Sequence, residues 1–278
     1  MLSVADGEPA SLMQSEGVNK VGSLGAAVAA WADWYQRMGV LDAVEDLGPA
    51  VVDEVQVPPG PPEPGAIRAP TPAPFGPRVA QARLVAAGCG SLAELEVALD
   101  RFEGCSLRQT ATRLCFADGS PDARLMLIGE APGAEEDRQG KPFVGPSGQL
   151  LDRMLAAVGL DRTSVWITNI VFWRPPGNRP PTAGEIAVCQ PFLERQIELL
   201  RPHRILFLGG AGARGLLDLT EGVTKLRGRP YLYRPAGGEP IPAAITFHPA
   251  YLLRQPLQKR LVWRDFLTLR RQLAENRT

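Results

Sequence analysis

Residues 125–148, LMLIGEAPGAEEDRQGKPFVGPSG, decide the fold of this 278-residue chain. Leu125 to Ile128 form an apolar run that stops at Gly129, the pattern of a parallel strand buried on both faces. Side chains at the carboxyl end of such a strand line the crevice in which α/β folds bind ligands. Glu130, Glu135, Glu136 and Asp137 fall at that end, and Gly129 and Gly133 let the backbone come close to a ligand. Taken alone, the segment reads equally well as a solvated acidic turn before a helix, so the decision rests on what surrounds it.

Three further apolar runs follow: VWITNIVF (165–172), RILFLGG (204–210) and AAITFHP (243–249). Between and around them, helices are expected over 147–158, 186–200, 211–219 and 262–273, and a helical pattern covers 78–100. Strands alternating with helices imply right-handed crossovers and a parallel sheet covered on both faces. The expectation is a three-layer α/β/α sandwich around a mostly parallel four-stranded sheet, occupying residues 78–278. Upstream, AAVAAWADWYQRMGVLDAV (26–44) has the spacing of an amphipathic helix and predicts a helical extension over residues 1–56. The proline-rich VPPGPPEPGAIRAPTPAPFGP (57–77) predicts a semi-rigid linker between the two.

Hydrophobic residues at 45% are ample for a core. No apolar run approaches the roughly 18 residues of a membrane span, and no signal-peptide pattern opens the chain, so a cytoplasmic protein is expected. The net charge is zero but unevenly spread. Residues 1–60 carry nine acidic and two basic side chains, whereas residues 201–278 carry fourteen basic and five acidic, a bias that suits phosphate binding. The four cysteines, Cys89, Cys105, Cys115 and Cys189, are irregularly spaced and suggest no disulfide framework.

Each predicted strand ends in polar or turn residues: GEAPG after the first, Thr168 and Asn169 at the second, Gly209 and Gly210 at the third, His248 and Pro249 at the fourth. In a parallel sheet these ends converge on one rim. His248 is one of only two histidines and the one placed at a strand end; a lone histidine is usually structural, but this placement, before a proline and facing an acidic loop, makes it a better site candidate than most.

With GEAPGAEED, PFVGPSG, ITNIVFWRPPGNR and FHPAYLLRQP in this order, the chain resembles the uracil-DNA glycosylase superfamily, and within it the type 4 branch, over about Phe102 to Leu273. The resemblance implies excision of uracil from DNA by hydrolysis of the N-glycosidic bond, leaving an abasic site in base excision repair. Such an enzyme extrudes the base from the stack before cutting. By this resemblance Gly129, Ala131, Phe143 and Asn169 contact the base, with Phe143 as a stacking face and the Asn169 amide matching the O4 and N3 edge of uracil. Glu130 is the first candidate to steady the cationic sugar or orient water, Glu136 the second, and His248 would donate to uracil O2 as negative charge develops. In HPAYLLRQPLQKR, Leu252 and Leu253 suit a wedge into the duplex while Arg254 and Lys259 hold phosphates, a track that Arg174 and Arg179 extend.

Type 4 enzymes carry a [4Fe-4S] cluster on four cysteines. Here Cys105 and Cys189 occupy two of the family positions, and Phe102 and Trp173 stand at the other two. Two thiolates cannot hold a cluster built for four, so no cofactor is expected and packed aromatic volume should fill the site. The expected partner is uracil-containing DNA bound by a monomer, with the N-terminal extension available to a protein partner. The competing readings are a non-catalytic DNA-binding scaffold that kept the fold, and a glycosylase for another deaminated base such as hypoxanthine or xanthine.

Overall fold

A computed structural model describes residues 76–275; the expected helix at 26–44 and all but the last two residues of the expected linker lie outside them. The chain enters through helices α1 (Pro77–Ala87) and α2 (Leu92–Asp100). A single helical pattern was expected over this span. The segment from Gly88 to Gly90 breaks it, and Ser91 caps the second helix by accepting from Glu94 N at 3.2 Å.

The sheet has six strands: β1 (Asp118–Gly119), β2 (Leu125–Gly129), β3 (Trp166–Asn169), β4 (Arg204–Leu208), β5 (Pro230–Tyr233) and β6 (Ile241–Thr246). Their order is β1-β3-β2-β4-β6-β5, with β3, β2, β4 and β6 mutually parallel and the short edge strands β1 and β5 antiparallel. The four expected parallel strands are therefore the centre of the sheet, and two edges are added to them. Strand β3 is shorter than its apolar run: the ladder stops at Asn169, and Ile170 to Trp173 leave the sheet to pack in the core.

Helices follow the strands: α3 (Ala134–Gln139) and α4 (Pro146–Ala156) after β2, α5 (Ala183–Leu200) after β3, α6 (Gly210–Leu217) and the short α7 (Val223–Leu226) after β4, and α8 (Pro249–Arg254) and α9 (Lys259–Glu275) after β6. Helix α5 starts three residues earlier than its apolar stripe. Thr182 accepts from Glu185 N, and the Glu185 carboxylate returns to Thr182 N at 2.7 Å, a capping box that the T-x-x-E of PPTAGE encodes.

Alternation along the strands sorts the core into two layers. Met126 and Ile128 of β2, Ile205 and Phe207 of β4 and Ala243 and Ile245 of β6 belong to one apolar cluster with buried residues of α1, α2, α5 and α6. Leu125, Leu127, Leu206 and Leu208 point the other way and are equally buried, as are Leu150 and Leu151 of α4, Leu252 of α8 and Phe266 of α9. Among the described residues no helix is long and apolar enough to cross a membrane.

Candidate functional site

In the parallel register Gly129 lies beside Asn169 at the ends of β2 and β3. Glycine leaves this point open: a Cβ there would meet Asn169 Oδ1 and stand 2.5 Å from Phe143 Cζ, so both side chains would have to shift. The lack of a side chain at 129 thus lets the Phe143 ring and the Asn169 amide close over the strand end. Thr168 fixes the neighbouring position by donating from its hydroxyl to Phe116 O at 2.7 Å. Asn169 is 1% exposed, and its Oδ1 has no hydrogen-bond donor among the described residues. A buried carbonyl oxygen left without a donor costs about 1–3 kcal/mol, which a ligand N–H would relieve.

His248 reaches the same place from the end of β6. Thr246 donates to Asp265 Oδ2 at 2.6 Å, and Arg227 holds Asp265 Oδ1 at 2.7 Å, anchoring the strand end to α9. Two residues later His248 is the N-cap of α8, its Nδ1 accepting from Ala250 N at 3.1 Å. An accepting Nδ1 carries no proton, so in the neutral ring the hydrogen sits on Nε2. Burial, and secondarily the charge of Arg254, lowers the His248 pKa to about 4, so the ring is neutral at physiological pH. The rings of Phe143 and His248 stand 5.5 Å apart, inclined by 32°. That is direct aromatic contact with no room for a third ring between them.

Glu130, next along β2, projects to the opposite side of the sheet from Gly129, the side of Met126 and Ile128. It lines a cavity of about 350 Å³ with Pro180, Pro181, Ile186, Gln190 and Arg214. Burial raises its pKa and the Arg214 charge opposes that rise. Ala131 is half-buried and packs against the main apolar cluster.

Several expected site residues are engaged elsewhere. Glu136 is not available to water: Oε2 accepts from Gly133 N at 3.1 Å, and Oε1 accepts from Val144 N at 3.0 Å and Gly145 N at 2.9 Å. Its carboxylate ties the acidic loop to the segment carrying Phe143. Arg179 forms a two-pronged ion pair with Glu185, at 2.7 and 2.9 Å, and holds that carboxyl at about 2. It pins the proline loop to α5, with its side chain still 41% exposed. Arg174 donates to Asn178 Oδ1 at 2.8 Å within the same loop. Leu252 is fully buried and Lys259 is 5% exposed, so neither is placed to meet DNA. Leu253 is 43% exposed, Arg254 is exposed, and Leu257, which was not singled out from the sequence, is 71% exposed. Leu257 follows a proline in an otherwise polar turn, the one signal that could have flagged it.

The four family positions for a cluster lie in the apolar core. Cys105, Cys189, Phe102 and Trp173 are each at most 4% exposed. The two sulfurs are 3.9 Å apart, and the Phe102 ring packs 5.1 Å from that of Phe192. Aromatic rings supply no thiolate, and no group of three or more potential metal ligands occurs among the described residues. Cys115 donates to Glu136 O at 3.1 Å, and burial with the nearby Asp137 and Glu136 charges pushes its pKa up to about 12. The donor set does not fit a [4Fe-4S] group.

A type-4 uracil-DNA glycosylase of Sulfurisphaera tokodaii is 39% identical over 171 residues, covering 60% of this chain and 77% of the relative. One from Pyrobaculum aerophilum is 39% identical over 169 residues, covering 59% and 86%. One from Thermotoga maritima is 40% identical over 164 residues, covering 58% and 83%. The family model described as Uracil DNA glycosylase superfamily matches residues 116–267, so the chain belongs to that superfamily.

Proposed function

We propose that the protein is a monofunctional uracil-DNA glycosylase that hydrolyses the N-glycosidic bond of uracil in DNA and leaves an abasic site. The observation that carries this reading is the buried, donor-less Asn169 Oδ1 facing the Gly129–Phe143–His248 recess. Uracil offers what the recess lacks. Its N3–H donates to Oδ1, its O4 accepts from the Asn169 amide nitrogen, and its ring takes the face that Phe143 now turns to His248.

As the C1′–N1 bond breaks, its electron pair moves onto the pyrimidine and concentrates at O2, where the Nε2–H of neutral His248 donates. Water adds its oxygen to the cationic C1′, and its proton passes to a carboxylate. Glu130 is the carboxylate left for that role, since the oxygens of Glu136 are occupied; its side chain leaves the strand end on the face opposite Gly129, so it reaches the water around the end of β2. Leu253 and Leu257 fill the gap left in the stack, and Arg254 meets the backbone phosphates. Glu136 and Arg179 act at one remove, by shaping the loops that carry Phe143 and the proline turn.

The reaction proceeds on this chain without a cluster, because aromatic packing around Phe102 and Trp173 takes the place of two ligands. Oligonucleotides containing uracil, hypoxanthine or xanthine, single-stranded and duplex, test the reading after alkaline cleavage of abasic sites. Strand breaks at uracil are expected. Breaks only at hypoxanthine or xanthine would change the substrate, and no breaks from a folded sample would leave a DNA-binding scaffold.

A further inference from the structure

Phe143 combines a large ring with a left-handed backbone, φ 55°, a conformation that bulky residues rarely adopt. Such a backbone persists only where its surroundings impose it, and here three contacts do. Glu136 holds the next two amides, Val144 N and Gly145 N. Gly148 leaves the space beneath, since a Cβ there would run into the carbonyl of Phe143. The third contact is Arg162, which donates through Nη2 to Phe143 O and through Nη1 to Pro142 O at 3.3 Å.

Arg162 is itself held rigidly. Its Nη1 also meets Asp118 Oδ2 at 2.8 Å, in edge strand β1, and its Nε meets Asp152 Oδ1 at 2.8 Å, in α4. It opens the short turn Arg162–Ser164, which Asp161 caps by accepting from Thr163 N at 3.0 Å, directly ahead of β3. The strand that delivers Asn169 to the recess is thus fixed at its start to the residue that grips the Phe143 carbonyl. A planar guanidinium with its donors committed on both edges cannot drift, unlike a lysine ammonium.

We propose that Arg162 is a positioning residue for base recognition: clamped between Asp118 and Asp152, it locks the Phe143 backbone so that only the side chain turns when a base enters. This rests on reading Phe143 as the stacking face. It assigns the network of Arg162, Asp118 and Asp152 to the geometry of the reaction and not only to the stability of the fold.

The test is a double-mutant cycle on single-turnover excision of uracil from a single-stranded oligonucleotide, with DNA affinity and melting temperature measured for every variant. Arg162→Ala should lower the rate about 10- to 100-fold, with DNA affinity changed less than about threefold, because a misplaced stacking face affects the committed step more than the encounter. In a Phe143→Leu background the same substitution should cost less than about threefold, since two residues acting through one contact are not additive. Arg162→Lys should recover part of the rate, and it carries the cycle if Arg162→Ala does not fold. Lys141→Ala, which removes only a 3.6 Å contact to the same Asp118, should keep the wild-type rate. Equal losses in both backgrounds would overturn the proposal while leaving the stacking role of Phe143 intact. A loss from Lys141→Ala as large as that from Arg162→Ala would overturn it too. A fully active Phe143→Leu variant would instead remove the stacking role, and the inference with it.

Discussion

The proposed donor role of His248 requires a neutral ring with Nε2 protonated while Nδ1 caps α8, and its surroundings keep the ring neutral. A pKa lowered to about 4 from 6.5 means that between those values the unfolded chain binds a proton that the folded chain refuses. The stability it contributes is complete above about pH 6.5 and is lost as the pH falls toward about 4. Melting temperature followed across this window should therefore drop on acidification, and drop less in His248→Gln. Glu130 has the opposite requirement. In the proposed role it must be ionised to take the proton from water, yet burial holds its pKa above the ordinary 4.5. The rate should fall on acidification through the raised Glu130 pKa, and Glu130→Gln should abolish that limb along with most of the activity. His248→Ala should cost roughly 3 kcal/mol in the barrier, about a hundredfold in rate. Gly129→Ala should be comparably damaging at unchanged DNA affinity, because its Cβ takes the space of the Phe143 ring and the Asn169 amide.

Among the elements, α8 and the turn after it divide their leucines between two tasks. Leu252 is sealed in the core, and truncation to alanine should destabilise the fold by about 2–5 kcal/mol. Leu253 and Leu257 are exposed, so their alanine variants should keep the wild-type melting temperature and lose excision from duplex DNA more than from single strands. The apolar run HPAYLLRQPL could not make this division from sequence, because adjacent leucines carry the same hydrophobic signal and only the placement of α8 says which one faces inward. The parallel strands were legible for the converse reason: LMLIG and RILFL are buried on both faces and read as unbroken apolar runs. The edge strands were not, since Asp118–Gly119 is two residues long and PYLY opens with a proline. Of the rim, Glu130, Asn169 and His248 were visible because strand ends converge. The engagement of Glu136 and Arg179 was hidden, because their partners lie on loops whose folding sets the pairing.

Across the whole molecule, the helices α1, α2 and α5 and the turn from Cys105 meet in one apolar cluster where the family would have an inorganic group. Anaerobically purified protein should contain no stoichiometric iron and no visible absorption band, and iron at one cluster per chain would refute the expectation. Trp173→Ala, which empties a site 2% exposed, should cost about 3–5 kcal/mol and show as a lowered melting temperature with the uracil specificity retained. The aromatic infill around Phe102 and Trp173 also bears on how the chain is made. A core assembled from side chains alone needs no sulfide donor and no assembly machinery, so the protein diluted from denaturant in air, with chelator present, should regain full excision activity.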